Sequence, residues 1–453
     1  MDIAMGTSGP RARSRSFRAR LVLALLALML AVQSAVAQQL IRDEEIERIL
    51  AGVADPLFSA AGLDPDSVKI YMIADPRLNA FVAGGQNLFI NTGLLMRSES
   101  LDQVAGVIAH ETGHIAGGHL SRIGKESQNA AAEALIGALL GAAAAVAGAP
   151  QLGTAIVAGG ATVAQRNLLA FSRAQEQSAD QAAIGYLEQA GRSPEGLLQF
   201  FQILENQNLR INVDGSEFLR THPLTRNRIA FLVNQVDQSP LKGEHESRLD
   251  DIEHARMVAK LDGFLDNRNQ VFRKWQGDTI PDIYARAIAY YRSSDIPQSL
   301  ELIDQLLARE PDDPWFNELK GQILFETGDV AAAVAPYRKA NREVGDSALL
   351  KVGLARALME SGGDPGQAID LLREASVIEP QNPSVWRFLG LAYGRDGHDG
   401  EAALALAEHA MLLRNRDDAQ LYLAQAKKRI SQGDPGWVHL LDLERAVSDM
   451  EAG

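Results

Sequence analysis

Cysteine is absent from all 453 residues. Disulfides, thiolate metal sites, cysteine nucleophiles and lipid attachment through cysteine are therefore excluded, and any bound metal must rest on His, Asp and Glu. Positive charge is also scarce. The 44 Lys and Arg face 58 Asp and Glu, and the net charge of −14 excludes a general nucleic-acid binder. Neither apolar run, Leu21–Val32 nor Ala134–Ala149, reaches the ~20 strongly apolar residues that a spanning helix needs. Wholesale disorder is excluded as well, because 46% of residues are apolar and 23% charged. What remains is a globular chain long enough for two or three domains.

The N-terminus reads as an address. Arg11, Arg13, Arg15, Arg18 and Arg20 precede the short apolar run, and Ser34-Ala35-Val36-Ala37 follows it. A basic start, an apolar middle and an Ala-x-Ala exit make a secretory signal peptide over 1–37, cut after Ala37. Its removal leaves a mature charge of −18. Export of a cysteine-free chain suits the bacterial periplasm, and the lack of a twin-Arg pair indicates the ordinary unfolded-chain route.

Four segments are expected: the signal 1–37, a mixed domain over 38–240, a linker and connecting helix over 241–280, and a repeat domain over 281–453. In the mixed domain, Ile41–Leu50 has helical spacing, Val68–Ile73 reads as a strand, and Ala80–Ala83 with Asn87–Ile90 form a hairpin around Gly84-Gly85. Asn79-Ala80-Phe81 begins either an edge strand that can pair with an extended peptide or a plain core hairpin. The polar stretch Gln238–Ser247 reads as linker, and Ile252 to about Trp275 as helix. Beyond Pro281, small residues recur at Ala287, Gly321, Ala355 and Gly390, and turn residues at Ser294, Gly328, Gly362 and Gly397. A period near 34, with Pro311 or Pro380 closing the second helix, is the tetratricopeptide pattern, best seen in Trp386, Leu389, Gly390 and Tyr393. Such stacks offer a concave face to proteins or peptides.

The chemistry begins at His110-Glu111-Thr112-Gly113-His114, in a helix that Ser98 can cap and that Val104, Ile108 and Ile115 can bury. Residues four apart share a face, so both imidazoles enter one cleft and supply half of a tetrahedral zinc site. Glu111 sits beside them, placed to act on a metal-bound water. A third ligand is needed, and Ser172–Asp180 supplies Glu176, ahead of Glu133 and Glu188. Asp180 shares its face and can hydrogen-bond a ligand imidazole. His119, five residues past His114, falls ~140° around an ideal helix and suits helix-end packing better than ligation. The Ala134–Ala149 run is open to three readings: a mobile helical hairpin over the cleft, a contact with lipid or unfolded protein, or a core helix.

HETGH, then SRAQEQSAD, then Thr221-His222-Pro223 through Arg228 resembles the zinc metallopeptidase family of HtpX and the CAAX prenyl endopeptidases. The signal peptide and C-terminal repeats resemble its periplasmic BepA (YfgC) type. The resemblance implies one zinc per chain on His110, His114 and Glu176, with Glu111 as general base. It further implies that His222 is a fourth, displaceable ligand and that Arg228 lies near the centre, able to steady an oxyanion. The fold class expected is an α+β, zincin-like metallopeptidase domain, mostly helical with a small edge-stranded sheet, followed by an all-α tetratricopeptide repeat solenoid. Implied functions are removal of misfolded or stalled outer-membrane proteins and help in their assembly, the repeats binding clients or assembly machinery. The alternative is a chaperone or assembly scaffold whose protease is latched and mostly silent.

Overall fold

The computed structural model describes residues 40–119, 122, 172–210, 218, 222–244 and 248–450. The signal segment, Glu133, the 134–149 run, Thr221 and His245 lie outside the described residues.

Leu40–Ile41 (β1) is extended, and helix α1 (Glu44–Ala60) starts three residues later than the spacing of Ile41 suggested. Asp43 sets that start: its side chain accepts the Ile46 N–H, and Glu44, Glu45 and Glu47 follow in the first turn, where the helix dipole favours acids. Strands β2 (Lys69–Ile73), β3 (Ala80–Ala83) and β4 (Asn87–Asn91) complete a sheet of order β1-β2-β4-β3 among the described residues. β2 and β4 run parallel, and β3 returns antiparallel to β4. Gly84 (φ 59°) and Gly85 (φ 98°) make that hairpin possible, since side chains disfavour left-handed backbone. β3 pairs only with β4 among the described residues, so its outer edge matches the expected edge strand. Met72, Val82, Leu88 and Ile90 bury the inner face in a core shared with α1.

Helix α2 (Leu101–Ala116) carries the HETGH segment. Its cap is Ser100, whose side chain accepts the Gln103 N–H. Ser98, the expected cap, sits two residues too early; its hydroxyl donates to Leu95 O and lies 3.0 Å from His254 Nε2. Among the described residues three longer helices follow: α3 (172–189), α4 (Glu195–Arg210) and α5 (Arg226–Gln238). Gly106 lets α2 touch the α4 backbone: a Cβ there would lie 2.6 Å from Leu197 N and Cα.

The stretch expected as one helix to Trp275 is two, α6 (Arg248–Leu265) and α7 (Arg268–Lys274), because Asn267 caps the second by accepting the Gln270 N–H. α6 joins both halves of the chain. Met257 and Leu261 enter the same core as α1 and α2, while Ala259 packs with Ala285 and Ala289 of the first repeat. Charge reinforces the joint: buried Glu45 accepts Arg256 Nε and the Tyr284 hydroxyl, both at 2.9 Å, with Lys260 Nζ 3.2 Å away.

Paired helices follow: Ile280–Arg292 with Ile296–Arg309, Pro314–Glu326 with Val330–Val344, Ala348–Glu360 with Pro365–Ile378, and Pro383–Arg395 with Asp399–Leu412. The four expected turn residues all adopt left-handed backbone: Ser294 (62°), Gly328 (94°), Gly362 (74°) and Gly397 (79°). The small residues lie buried where paired helices meet; a Cβ on Gly321 would come 2.8 Å from the Tyr337 ring. Among the described residues no helix is long and apolar enough to cross a membrane.

Candidate metal centre

α2 presents His110 and His114 one turn apart, with Nε2 atoms 3.2 Å from each other. α3 lies against the same turn because Gly113 admits Ala179: a Cβ on Gly113 would meet Ala179 O at 2.9 Å and Cα at 3.0 Å. That contact brings Glu176 to the imidazoles, Oε2 3.5 Å from His110 Nε2 and Oε1 3.4 Å from His114 Nε2. His222 arrives from the segment before α5, its Nδ1 3.3 Å from Glu176 Oε1 and 3.4 Å from His110 Nε2. The His222 ring stacks on Phe218, and the His222 backbone N–H donates to Phe218 O at 2.7 Å.

One ligand atom from each of these four buried residues lies within 4.8 Å of all the others. Nitrogen lone pairs converging at this range repel unless a proton or a cation sits between them. Three imidazoles and a carboxylate therefore fit a divalent metal, and the donor set of N and O suits a borderline ion. Glu188, three turns further along α3, is outside the group.

The surrounding charges support that arrangement. Asp180 Oδ1 lies 3.0 Å from His110 Nδ1, on the side of the ring away from the cluster. Burial opposes a charge on His110, but Asp180 and Glu176 outweigh it and raise its pKa to about 9. Burial, with the neighbouring His110 and His222, depresses the pKa of His114. Glu111 faces His222 Nε2 at 3.4 Å, and its Oε1 is buried without a hydrogen bond. Burial pushes its pKa up, against the pull of His222 and His110. Glu176 and Asp180 are shifted down despite burial, by hydrogen bonds from His110 and His222 to Glu176, and from Arg228 and His110 to Asp180.

Arg228 is buried and already engaged. Nε and Nη2 donate to Asp180 at 2.7 and 2.8 Å, while Nη1 lies 2.9 Å from Glu176 Oε2 and donates to Pro223 O. The oxyanion contact expected of it competes with these partners. Phe201, beneath the guanidinium at 4.8 Å, and Phe218 were not singled out in the sequence; the only signal was that Phe218 precedes His222 by four residues. His119 is outside the four-residue group, as expected, yet its ring meets His114. The helix-angle reasoning did not reach this contact, because α2 ends at Ala116 and Gly118 turns left-handed at φ 61°.

A helix-borne HExxH segment, a carboxylate from a neighbouring helix and a small mixed sheet define a metallopeptidase. Residues 40–236 match peptidase family M48, and 284–348 and 324–391 match tetratricopeptide repeats. A "Beta-barrel assembly-enhancing protease" of Yersinia pestis is 27% identical over 401 residues, 87% of this chain and 82% of that protein. Its namesake in Escherichia coli (strain K12) is 25% identical, over 87% and 81%. "Metalloprotease LoiP" of the same strain is 30% identical, over 44% of this chain and 74% of its own length. The chain belongs to peptidase family M48 and is a metalloprotease with C-terminal tetratricopeptide repeats.

Proposed function

We propose that this chain is a periplasmic zinc endopeptidase that removes misfolded or stalled outer-membrane β-barrel proteins and assists their assembly. The convergence of His110, His114, Glu176 and His222 within 4.8 Å is the observation that carries the catalytic part. The biological part is supported by similarity along 87% of the chain to proteins named for β-barrel assembly. The N-terminal basic-apolar-Ala segment supports export, with cleavage after Ala37.

In this reading His110, His114 and Glu176 hold one zinc. Zinc there supplies Lewis acidity, lowering the pKa of a held water towards ~7 and polarising a peptide carbonyl. Glu111, raised in pKa by burial, accepts the proton of the attacking water and returns it to the leaving amine. Asp180 orients His110, and Arg228 locks Asp180 and Glu176 into one array. Both act as positioning residues. His222 would be a further, displaceable ligand that yields when a client arrives. Its contact with Glu111 supports the latched, mostly silent reading of the resting protein. The part over 38–240 cuts, and the repeats over 281–453 bind clients or the assembly machinery. Contact of 134–149 with a membrane surface belongs to the same proposal.

Glu111→Gln tests the chemistry. Near-stoichiometric zinc with proteolysis of an unfolded β-barrel protein abolished is the expected result, because an amide cannot serve as base. Undiminished cleavage by this variant would refute the role of Glu111.

A further inference from the structure

The two imidazoles of the HETGH segment are backed differently. His110 turns Nδ1 to a carboxylate, Asp180, at 3.0 Å. His114 turns Nδ1 to another imidazole, with His119 Nδ1 at 3.0 Å and the ring centroids 4.9 Å apart, edge to face. Its Nε2 faces the cluster, 3.2 Å from His110 Nε2 and 3.4 Å from Glu176 Oε1.

We propose that His119 is a positioning residue for the metal centre, holding His114 in the tautomer whose Nε2 lone pair points at the metal. Either ring could donate across the Nδ1–Nδ1 contact, but only one arrangement of protons also leaves His114 Nε2 free for a metal. If His114 Nε2 offers its lone pair to a metal, its proton is on Nδ1. That N–H can donate only to an unprotonated nitrogen, so His119 Nδ1 accepts and the His119 proton is on Nε2. A metal-ligating histidine commonly has such a partner on its other nitrogen, where it fixes ring orientation as well as tautomer.

The backbone is built to deliver this ring. α2 stops at Ala116, Gly118 reverses the chain at φ 61°, and a Cβ on Gly117 would overlap the His119 ring. From α3, Gln175 Nε2 donates to His119 O at 3.3 Å, one residue before Glu176. His119 thus ties the end of the two-histidine helix to the helix carrying the carboxylate. It is buried although it lies past the helix end.

This inference rests on the reading of His110, His114, Glu176 and His222 as metal ligands, and the test separates the two. Zinc dissociation constants are measured by chelator competition on the purified chain and on His119→Phe, His119→Asn and His114→Ala. Melting of each metal-free protein is recorded, with visible spectra of the cobalt-loaded forms. Phe fills the space without an acceptor, whereas the Asn amide oxygen can accept the His114 N–H. His119→Phe should bind zinc ~10–100-fold more weakly and alter the cobalt bands while melting like the parent. His119→Asn should recover the affinity to within a few-fold. Parent-like zinc affinity in His119→Phe overturns the positioning role, as does failure of Asn to recover affinity in a protein that melts normally. If His119→Phe does not fold, His119→Asn alone decides by the same criterion. Failure of the parent to bind zinc, or undiminished binding by His114→Ala, overturns the ligand reading itself.

Discussion

Gly113→Ala perturbs the metal centre without changing any residue that faces the metal. Gly113 is the fourth residue of HETGH, and α2 and α3 touch there. The added methyl would meet Ala179 O at 2.9 Å, Cα at 3.0 Å and Cβ at 3.3 Å. Two of these atoms are backbone, so no side chain can rotate away. Reaching ordinary contact near ~3.5 Å requires the helices to part by about 0.5 Å. Two effects compete. Ala favours the helix over Gly by ~1 kcal/mol, whereas overpacking a tight contact costs ~1–3 kcal/mol. At a contact made by backbone the second should win, leaving the protein ~0–2 kcal/mol less stable. The larger effect falls on the metal. A shift of about 0.5 Å between His110 or His114 and Glu176 exceeds the ~0.2 Å tolerance of metal–ligand distances. Zinc affinity should fall at least ~10-fold, the scale of losses when the support of ligands is disturbed. Urea unfolding of the metal-free chain and chelator competition read the two quantities separately. A Gly113→Ala protein that is more stable and binds zinc as tightly as the parent refutes the packing argument.

Two other substitutions probe the same chain. His222→Ala should retain zinc on the remaining three ligands and increase cleavage of a model unfolded protein, self-cleavage included; slower digestion with zinc intact would end the latch reading. His254 tests pH linkage away from the metal: burial lowers its pKa from 6.5 to about 4, opposed by Ser98 and Asp251 and assisted by Lys274. The folded state therefore disfavours the charged imidazole, and its stabilising effect is complete above the unfolded pKa of 6.5 and is lost as pH falls towards 4. Between pH 7 and 5 that loss should be about 2 kcal/mol. Comparing urea midpoints of the parent with those of His254→Gln isolates the effect from other titrating groups; identical pH slopes in the two proteins would exclude it.

Features governed by local geometry were legible in the sequence. A spacing of four puts two side chains on one helix face whatever the helix packs against, so His110 with His114 and Glu176 with Asp180 could be paired from residue numbers. The repeats were legible for a similar reason. A period near 34 with a turn residue seven after each small residue specifies a helical hairpin, and Ser294, Gly328, Gly362 and Gly397 take the required left-handed backbone. The helix starts were harder, because Ser98 and Ser100 are both competent caps and only the packing of Ser98 beside His254 separates them.

The meeting of these local units was decided in three dimensions. No spacing rule says that α3 approaches α2 at Gly113, yet that contact delivers Glu176 to the imidazoles and leaves Glu188 outside. His222 reaches Glu176 across 46 residues, and its position depends on stacking against Phe218. Arg228 is expected near the centre, able to steady an oxyanion, and the fold pairs it there with Asp180 and Glu176. His119 shows the division most directly. Helix geometry turned it away from His114, but the helix ends at Ala116 and the left-handed Gly118 just before His119 brings its ring back. Sequence determines which side chains share a face, because the repeat of a helix is local. Tertiary structure determines which faces meet, because close approach depends on backbone contacts between residues far apart in the chain.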